Sequence, residues 1–260
     1  MTKIKTALVT GSTSGIGLAT AKTLAAKGIQ IMLHGLEDNT TGEAIAAEIE
    51  QAYNVKARYF SADLSQAALI DDLFNAVQTE FGGVDILVNN AGIQYTCTTV
   101  DYPADKWDLV LAVNLSAAFH TTRLALPFMQ EAGWGRIVNI ASAHGLVGSA
   151  NKSAYCAAKH GLVGFTKVVA IENAELGITA NSICPGWTDT PLLNQQFAAY
   201  GEQNGVPFEE AKSGLIKTKA PYPKLIDPSA IGEMVCFLCT DAAQAITGSS
   251  LPIDGAWTAQ

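Results

Sequence analysis

Tyr155-Cys156-Ala157-Ala158-Lys159 sets a phenol and an ammonium four residues apart, a spacing that puts both on one face of a helix. A free tyrosine, with a pKa of about 10, is a poor base near neutrality. A neighbouring lysine cation favours the phenolate, which makes Tyr155 a general acid/base for the oxygen of an alcohol or carbonyl. Ser142 follows an apolar segment upstream and can hydrogen-bond the same oxygen. Taken alone, a Tyr-x-x-x-Lys pair is most often a solvated helix face. Here it is accompanied by Ser142 and by a glycine loop near the N-terminus, Thr10-Gly11-Ser12-Thr13-Ser14-Gly15-Ile16-Gly17. Glycines so placed allow a tight turn and close backbone approach to a pyrophosphate, and the N–H groups that open the next helix favour an anion.

These groups need a scaffold, and apolar strands alternate with amphipathic helices along the chain. Strands are predicted at Thr6–Thr10, Ile29–Leu33, Ala57–Phe60, Asp85–Asn89, Gly135–Ile140, Ile178–Ile183 and Ser250–Ile253. Helices are predicted at Ile16–Lys27, Thr41–Tyr53, Ala67–Phe81, Ser153–Leu176 and Ala230–Leu238, with one long helix or two in succession over Ala104–Met129. The alternation implies an α/β fold, a doubly wound, Rossmann-like parallel sheet covered on both faces. No composition break or repeat divides the chain, so residues 1–260 are expected to form a single domain. The polar stretch Tyr200–Asp227, with Pro207, Pro221 and Pro223, reads as an insertion, and a small helical lid is expected over residues 190–228.

Charged residues make up 15% of the chain and hydrophobic residues 48%, which excludes a disordered chain. A net charge of -8 argues against a nucleic-acid partner. The N-terminus offers no signal or membrane span, and Cys97, Cys156, Cys184, Cys236 and Cys239 suggest no disulfide framework, so a cytoplasmic protein off the membrane is expected. Cys236-x-x-Cys239 sits in an apolar run and reads as buried thiols. His34, His120, His144 and His160 do not cluster with carboxylates, so no metal is expected.

Further motifs fall at the carboxyl ends of predicted strands: Asp63-Leu64, Asn89-Asn90-Ala91-Gly92 and Pro185-Gly186. Asp63 could accept from an adenine amine or serve as a turn or N-cap residue. Together with the glycine loop, Asn114, Ser142, Tyr155 and Lys159, they resemble the short-chain dehydrogenase/reductase family essentially from end to end. The resemblance implies an oxidoreductase with a nicotinamide dinucleotide across the switch point of the sheet. It implies a cofactor site of Gly11, Thr13, Ser14, Gly15, Ile16, Gly17, Leu36, Asp63, Leu64, Asn90, Ala91, Gly92 and Val113, continued by Tyr155, Lys159, Pro185, Gly186, Trp187, Thr188 and Thr190. It implies catalysis by Asn114, Ser142, Tyr155 and Lys159, with Asn114 holding a water that links Lys159 to solvent. Because His34-Gly35-Leu36-Glu37-Asp38 and Thr13-Ser14 offer no cation for a 2′-phosphate, NAD is expected over NADP.

On the substrate side, His144, Lys152 and Gln94 can converge on the catalytic oxygen's surroundings, a set that suits a small carboxylate. The segments around them are similar to the branch of the family acting on D-3-hydroxybutyrate. That similarity implies a substrate site of Gln94, Ser142, His144, Lys152, Tyr155 and Gln196, with Trp187 and Trp257 as aromatic walls. Departures from the pattern fall at Thr188-Asp189 and at Asp254-Gly255-Ala256. The family also implies a homotetramer. The alternatives are a related enzyme for another hydroxy acid, a sugar or a 3-oxoacyl chain, or a dinucleotide-binding regulator without turnover.

Overall fold

The computed structural model describes residues 4–259. Seven strands, β1 (Thr6–Val9), β2 (Gln30–Gly35), β3 (Ala57–Ser61), β4 (Ile86–Asn89), β5 (Gly135–Ile140), β6 (Ile178–Pro185) and β7 (Ser250–Ile253), form one sheet in the order β3-β2-β1-β4-β5-β6-β7. Every neighbouring pair is parallel. β1, β4, β5 and β6 are buried along their whole length. Buried on both faces, they show no alternation of inward apolar and outward polar residues, and the polar side chains they carry, such as Asn139 and Ser182, are buried too.

Helices α1 (Gly15–Ala26), α2 (Asn39–Tyr53) and α9 (Pro228–Leu238) cover one face, packing Ala21, Leu24, Ile49, Ile231 and Val235 against Val9, Ile31, Leu33 and Val88. The other face carries α3 (Ala67–Phe81), α5 (Ala117–Ala132) and α6 (Ser153–Asn173), whose Ile70, Leu73, Ala125, Met129 and Val169 meet Leu8, Leu87, Ile137 and Ala180. The chain therefore leaves β3 and returns to the middle of the sheet at β4, beside β1. At that switch point the loops after β1 and β4 part and open a crevice.

The expected ambiguity over Ala104–Met129 has a structural cause. α4 (Ala104–Leu111) runs through a π-helical segment, Ala112–Ser116, into α5 without a break. The combined stretch of 29 residues is long and apolar enough to cross a bilayer, yet here it packs on α3, β4, β5 and α6. The insertion begins earlier than Tyr200. Pro191 opens α7 (Pro191–Asn204), and α8 (Phe208–Lys217) follows. Its two stems are tied together, with Ile226 N–H donating to Trp187 O at 2.8 Å and Asp189 N–H to Ile226 O at 3.0 Å.

Candidate active site

β5 delivers Ser142 to the carboxyl edge of the sheet, in extended backbone just before a short 3-10 turn. Its Oγ accepts from His144 N–H at 3.1 Å. The turn lies hard against α6, where a Cβ on Gly145 would come within 2.9 Å of Lys159 O. This close approach brings Ser142 onto the helix face that carries Tyr155 and Lys159. Ser142 hydrogen-bonds the Tyr155 phenol, but burial outweighs that bond and pushes the phenol up to about 12. Burial likewise brings Lys159 down to about 8. The Lys159 ammonium donates to Ile140 O at 2.8 Å and stands 5.7 Å from the centre of the Tyr155 ring. Burial disfavours the charged form of both groups and so moves them apart on the pH scale, the phenol upward and the ammonium downward.

Asn114 lies in the π-helical segment, buried, with both polar side-chain atoms engaged by the backbone of one residue: Oδ1 accepts from Ile93 N–H and Nδ2 donates to Ile93 O, each at 2.8 Å. It staples the long helix to the loop after β4. A Cβ on Gly92 would sit 3.2 Å from Asn114 Oδ1 and 3.6 Å from Lys159 Nζ, so this glycine keeps the loop, the asparagine and the lysine in one small volume.

The open cleft runs from Ser14, Gly15 and Ile16 past Asn90 and Gly92 to Ser142, Tyr155 and Lys159, and beneath Pro185, Gly186, Thr188 and Thr190. α1 begins at Ser14 with no side-chain cap, which leaves the first N–H groups of the helix facing the cleft. Gly11 turns with φ +60°, and Gly17 admits no side chain because a Cβ there would press into Gly11 O and Asn90 Nδ2. Leu64, Ala91 and Val113 line a smaller cavity with Asn114. The Asp63 carboxylate accepts from Ser65 N–H at 2.9 Å and Gln66 Nε2 at 3.2 Å, as a turn residue does. Leu36 is 73% exposed. Next to it, Glu37 Oε1 accepts from Thr13 Oγ1 at 2.8 Å, while Oε2 is buried without a hydrogen-bond partner. A cleft with a bare helix N-terminus at one end and an unsatisfied carboxylate oxygen beside the glycine loop fits a dinucleotide.

Gln94, His144, Lys152, Trp187, Gln196 and Trp257 meet at the inner end of the cleft. Lys152 Nζ donates to Gln94 Oε1 at 3.2 Å and to Gln196 Oε1, on α7, at 3.1 Å. Burial, with a contribution from Lys219, brings the ammonium down to about 8. Asn151, at φ +63°, and its backbone bond to Cys97 N–H (2.9 Å) aim Lys152 at this spot. His144 stands edge-on to Tyr155, 5.9 Å between ring centres, and to Trp257, 5.0 Å. Burial and the nearby lysines hold the imidazole neutral, down to about 3. Trp187 stacks on Trp257 at 5.2 Å and packs with Leu193 and Phe197. His144 Nε2 and Trp187 Nε1 are buried without a partner. One contributor was not foreseen: Asp254 accepts from Ala256 N–H, Thr258 N–H and Thr258 Oγ1, which folds the segment that places Trp257.

A family model for short chain dehydrogenases matches residues 5–201. A D-beta-hydroxybutyrate dehydrogenase of Cupriavidus necator is 52% identical over 257 residues, covering 98% of both chains. One of Rhizobium meliloti is 45% identical, covering 98% of this chain and 99% of its own. Among solved structures, an L-sorbose reductase of Gluconobacter frateurii in complex with NADPH and L-sorbose superposes with a TM-score of 0.94 at 28% identity, over 99% of this chain and 98% of that one. The actinorhodin polyketide ketoreductase with NADPH gives 0.92 at 36% identity, over 98% and 97%. The chain belongs to the short-chain dehydrogenase family and is an oxidoreductase.

Proposed function

We propose that the protein oxidises D-3-hydroxybutyrate to acetoacetate, reversibly, with NAD as its cofactor. The observation that carries this reading is the Lys152 ammonium, held between Gln94 and Gln196 at the inner end of the cleft and flanked by the unpartnered His144 Nε2. A cation with neutral donors around it, one ring away from Tyr155, suits a carboxylate a short distance from the reacting carbon. Trp187 and Trp257 close the space beyond, which leaves room for a small substrate and not for a long acyl chain. The names of the two bacterial relatives agree with it.

Ser142 and Tyr155 hold the substrate oxygen, and Tyr155 takes the hydroxyl proton during oxidation and returns it during reduction. Lys159 favours the phenolate through its charge. Because the Asn114 side chain is spent on Ile93, a water linking Lys159 to solvent would be held by the Asn114 backbone. When bound, the nicotinamide accepts or returns the hydride. Gly11, Thr13, Ser14, Gly15, Ile16 and Gly17 would hold the pyrophosphate end, and the free Glu37 oxygen would accept from the adenine ribose. The two structural neighbours are NADPH complexes, but a carboxylate at this place repels a 2′-phosphate, and this charge argument supports NAD.

The protein is proposed to act as one domain with residues 190–228 as lid, and as a homotetramer whose interfaces cover Phe119, Val168, Ile171 and Leu176, which are exposed on α5, α6 and the turn after it. Five unpaired cysteines suit the cytoplasm. The test is kcat/KM for both enantiomers of short 3-hydroxy acids with NAD and NADP. A best substrate without a carboxylate, or equal use of both cofactors, would overturn the assignment.

A further inference from the structure

The last residue but one of β2 is a histidine that the reaction does not touch. His34 is 2% exposed, and its ring reaches both neighbouring strand exits: Gly11 N–H donates to Nδ1 at 3.1 Å, and Nε2 lies 2.9 Å from Ala62 O. Its backbone is tied to the same loop, with Ser12 N–H donating to His34 O at 2.8 Å and His34 N–H to Ser12 Oγ at 3.0 Å. The partners dictate the tautomer. An amide N–H needs a lone pair, so Nδ1 is bare; a carbonyl needs a proton, so Nε2 carries one. On the far side, Asn90 Nδ2 donates to Thr10 O at 2.9 Å and Gly11 O at 2.8 Å. Gly11 is therefore gripped at its nitrogen from β2 and at its oxygen from the loop after β4.

We propose that His34 is a positioning residue for the dinucleotide: its neutral imidazole, protonated at Nε2, sets the Gly11 peptide and through it the loop that opens α1. The proposal rests on the reading that this loop holds the cofactor. An imidazolium would turn an N–H against the Gly11 N–H and release the loop. Burial already disfavours that form. The ionisable groups around the ring are Glu37, bonded to Thr13, and Asp63 beyond Ala62, turned onto Ser65 and Gln66.

Two amides separate the two ring bonds. In His34→Asn the side-chain oxygen can take the place of Nδ1 and keep the Gly11 bond; in His34→Gln the amide nitrogen can take the place of Nε2 and keep the Ala62 bond. The probe is NADH, titrated by its fluorescence, on the intact protein from about pH 8 to about pH 5.5. H34N should bind within about threefold of wild type and H34Q about tenfold more weakly or worse, because Gly11 N–H then lacks its acceptor. Wild-type affinity should fall as pH drops below the ordinary histidine range, and that of H34N should not. Equal affinities of H34N and H34Q, or the same pH dependence in wild type and H34N, would overturn the role of His34. The pH comparison stands even where H34Q does not fold. A wild-type protein that binds neither NADH nor NADPH would instead remove the cofactor reading, and this proposal with it.

Discussion

Replacing Lys152 by methionine keeps the length of the side chain and removes its charge, and the structure predicts opposite effects on stability and on activity. Burial, more than any other cause, brings Lys152 from 10.5 to about 8, even though two amide oxygens accept from it. About 2.5 pKa units correspond to roughly 3 kcal/mol spent on keeping this ammonium charged in the folded site, an upper bound. The folded pKa lies below the unfolded one. The cost is therefore fully present below about pH 8, shrinks as the folded-state lysine loses its proton between about pH 8 and pH 10.5, and is absent above that. Lys152→Met should raise Tm by a few degrees at pH 7, and its advantage should fade toward pH 10.5. The same change removes a charge-assisted hydrogen bond to the substrate carboxylate, worth roughly 1.5–3 kcal/mol, so kcat/KM for 3-hydroxybutyrate should fall on the order of ten- to a hundredfold. The methyl ester should lose far less. Thermal melts at two pH values and kinetics on acid and ester complete the assay. Equal losses on both substrates would mean that Lys152 supports the loop and binds no carboxylate. An unchanged or lower Tm at pH 7 would refute the burial cost.

Tyr155→Phe should lower kcat roughly 10²–10⁴-fold while NADH affinity, measured by fluorescence, stays within a few fold; retention of a tenth of kcat would exclude the phenol as acid/base. Glu37→Gln should narrow the preference for NAD over NADP about tenfold or more in the ratio of kcat/KM, since it removes the charge beside Thr13; an unchanged ratio would place the ribose elsewhere. Ala256 holds φ +66° without the freedom of glycine, so Ala256→Gly should raise Tm by about 1–3 °C, and a lower Tm would show the turn to be unstrained. Light scattering should show the proposed tetramer for the wild type and smaller species for Ile171→Asp, a change at a residue 80% exposed on α6; a wild-type monomer, or an unchanged mass in the variant, would refute this interface.

What was legible depended on the kind of signal. Ala67–Phe81 and Gly135–Ile140 were read with the bounds observed, because Gly82 and Gly135 punctuate strongly apolar patterns. Tyr155 and Lys159 were legible because their spacing puts them on one helix face, and Ser142 because it accompanies that pair and the glycine loop. α7 was harder to bound: its apolar positions form no clear stripe, and only Thr190-Pro191, a cap followed by proline, marks its start. The π-helical segment leaves no trace in hydrophobic periodicity. His34 looked like one of four scattered histidines, because the partners that explain it, Gly11 and Ala62, come from two other strand exits. Asp254 was noted only as part of a departure, and its work on Trp257 is done through backbone amides, which no side-chain pattern reveals.

The π-helical turn at Ala112–Ser116 carries one residue more than an α-turn would. Because that residue is taken up within a single wide turn, α4 and α5 keep nearly the phase of one continuous α-helix, with Val110 packed on Ala154 and Ala158 of α6 and Ala125 and Met129 packed on the sheet. A one-codon deletion within the turn would therefore restore a regular hydrogen-bond ladder and leave both packed faces close to where they are. What it would remove is the widened turn that carries Asn114 to Ile93. The extra residue thus serves the site and not the scaffold, and a shortened chain is expected to fold while losing the staple beside Lys159.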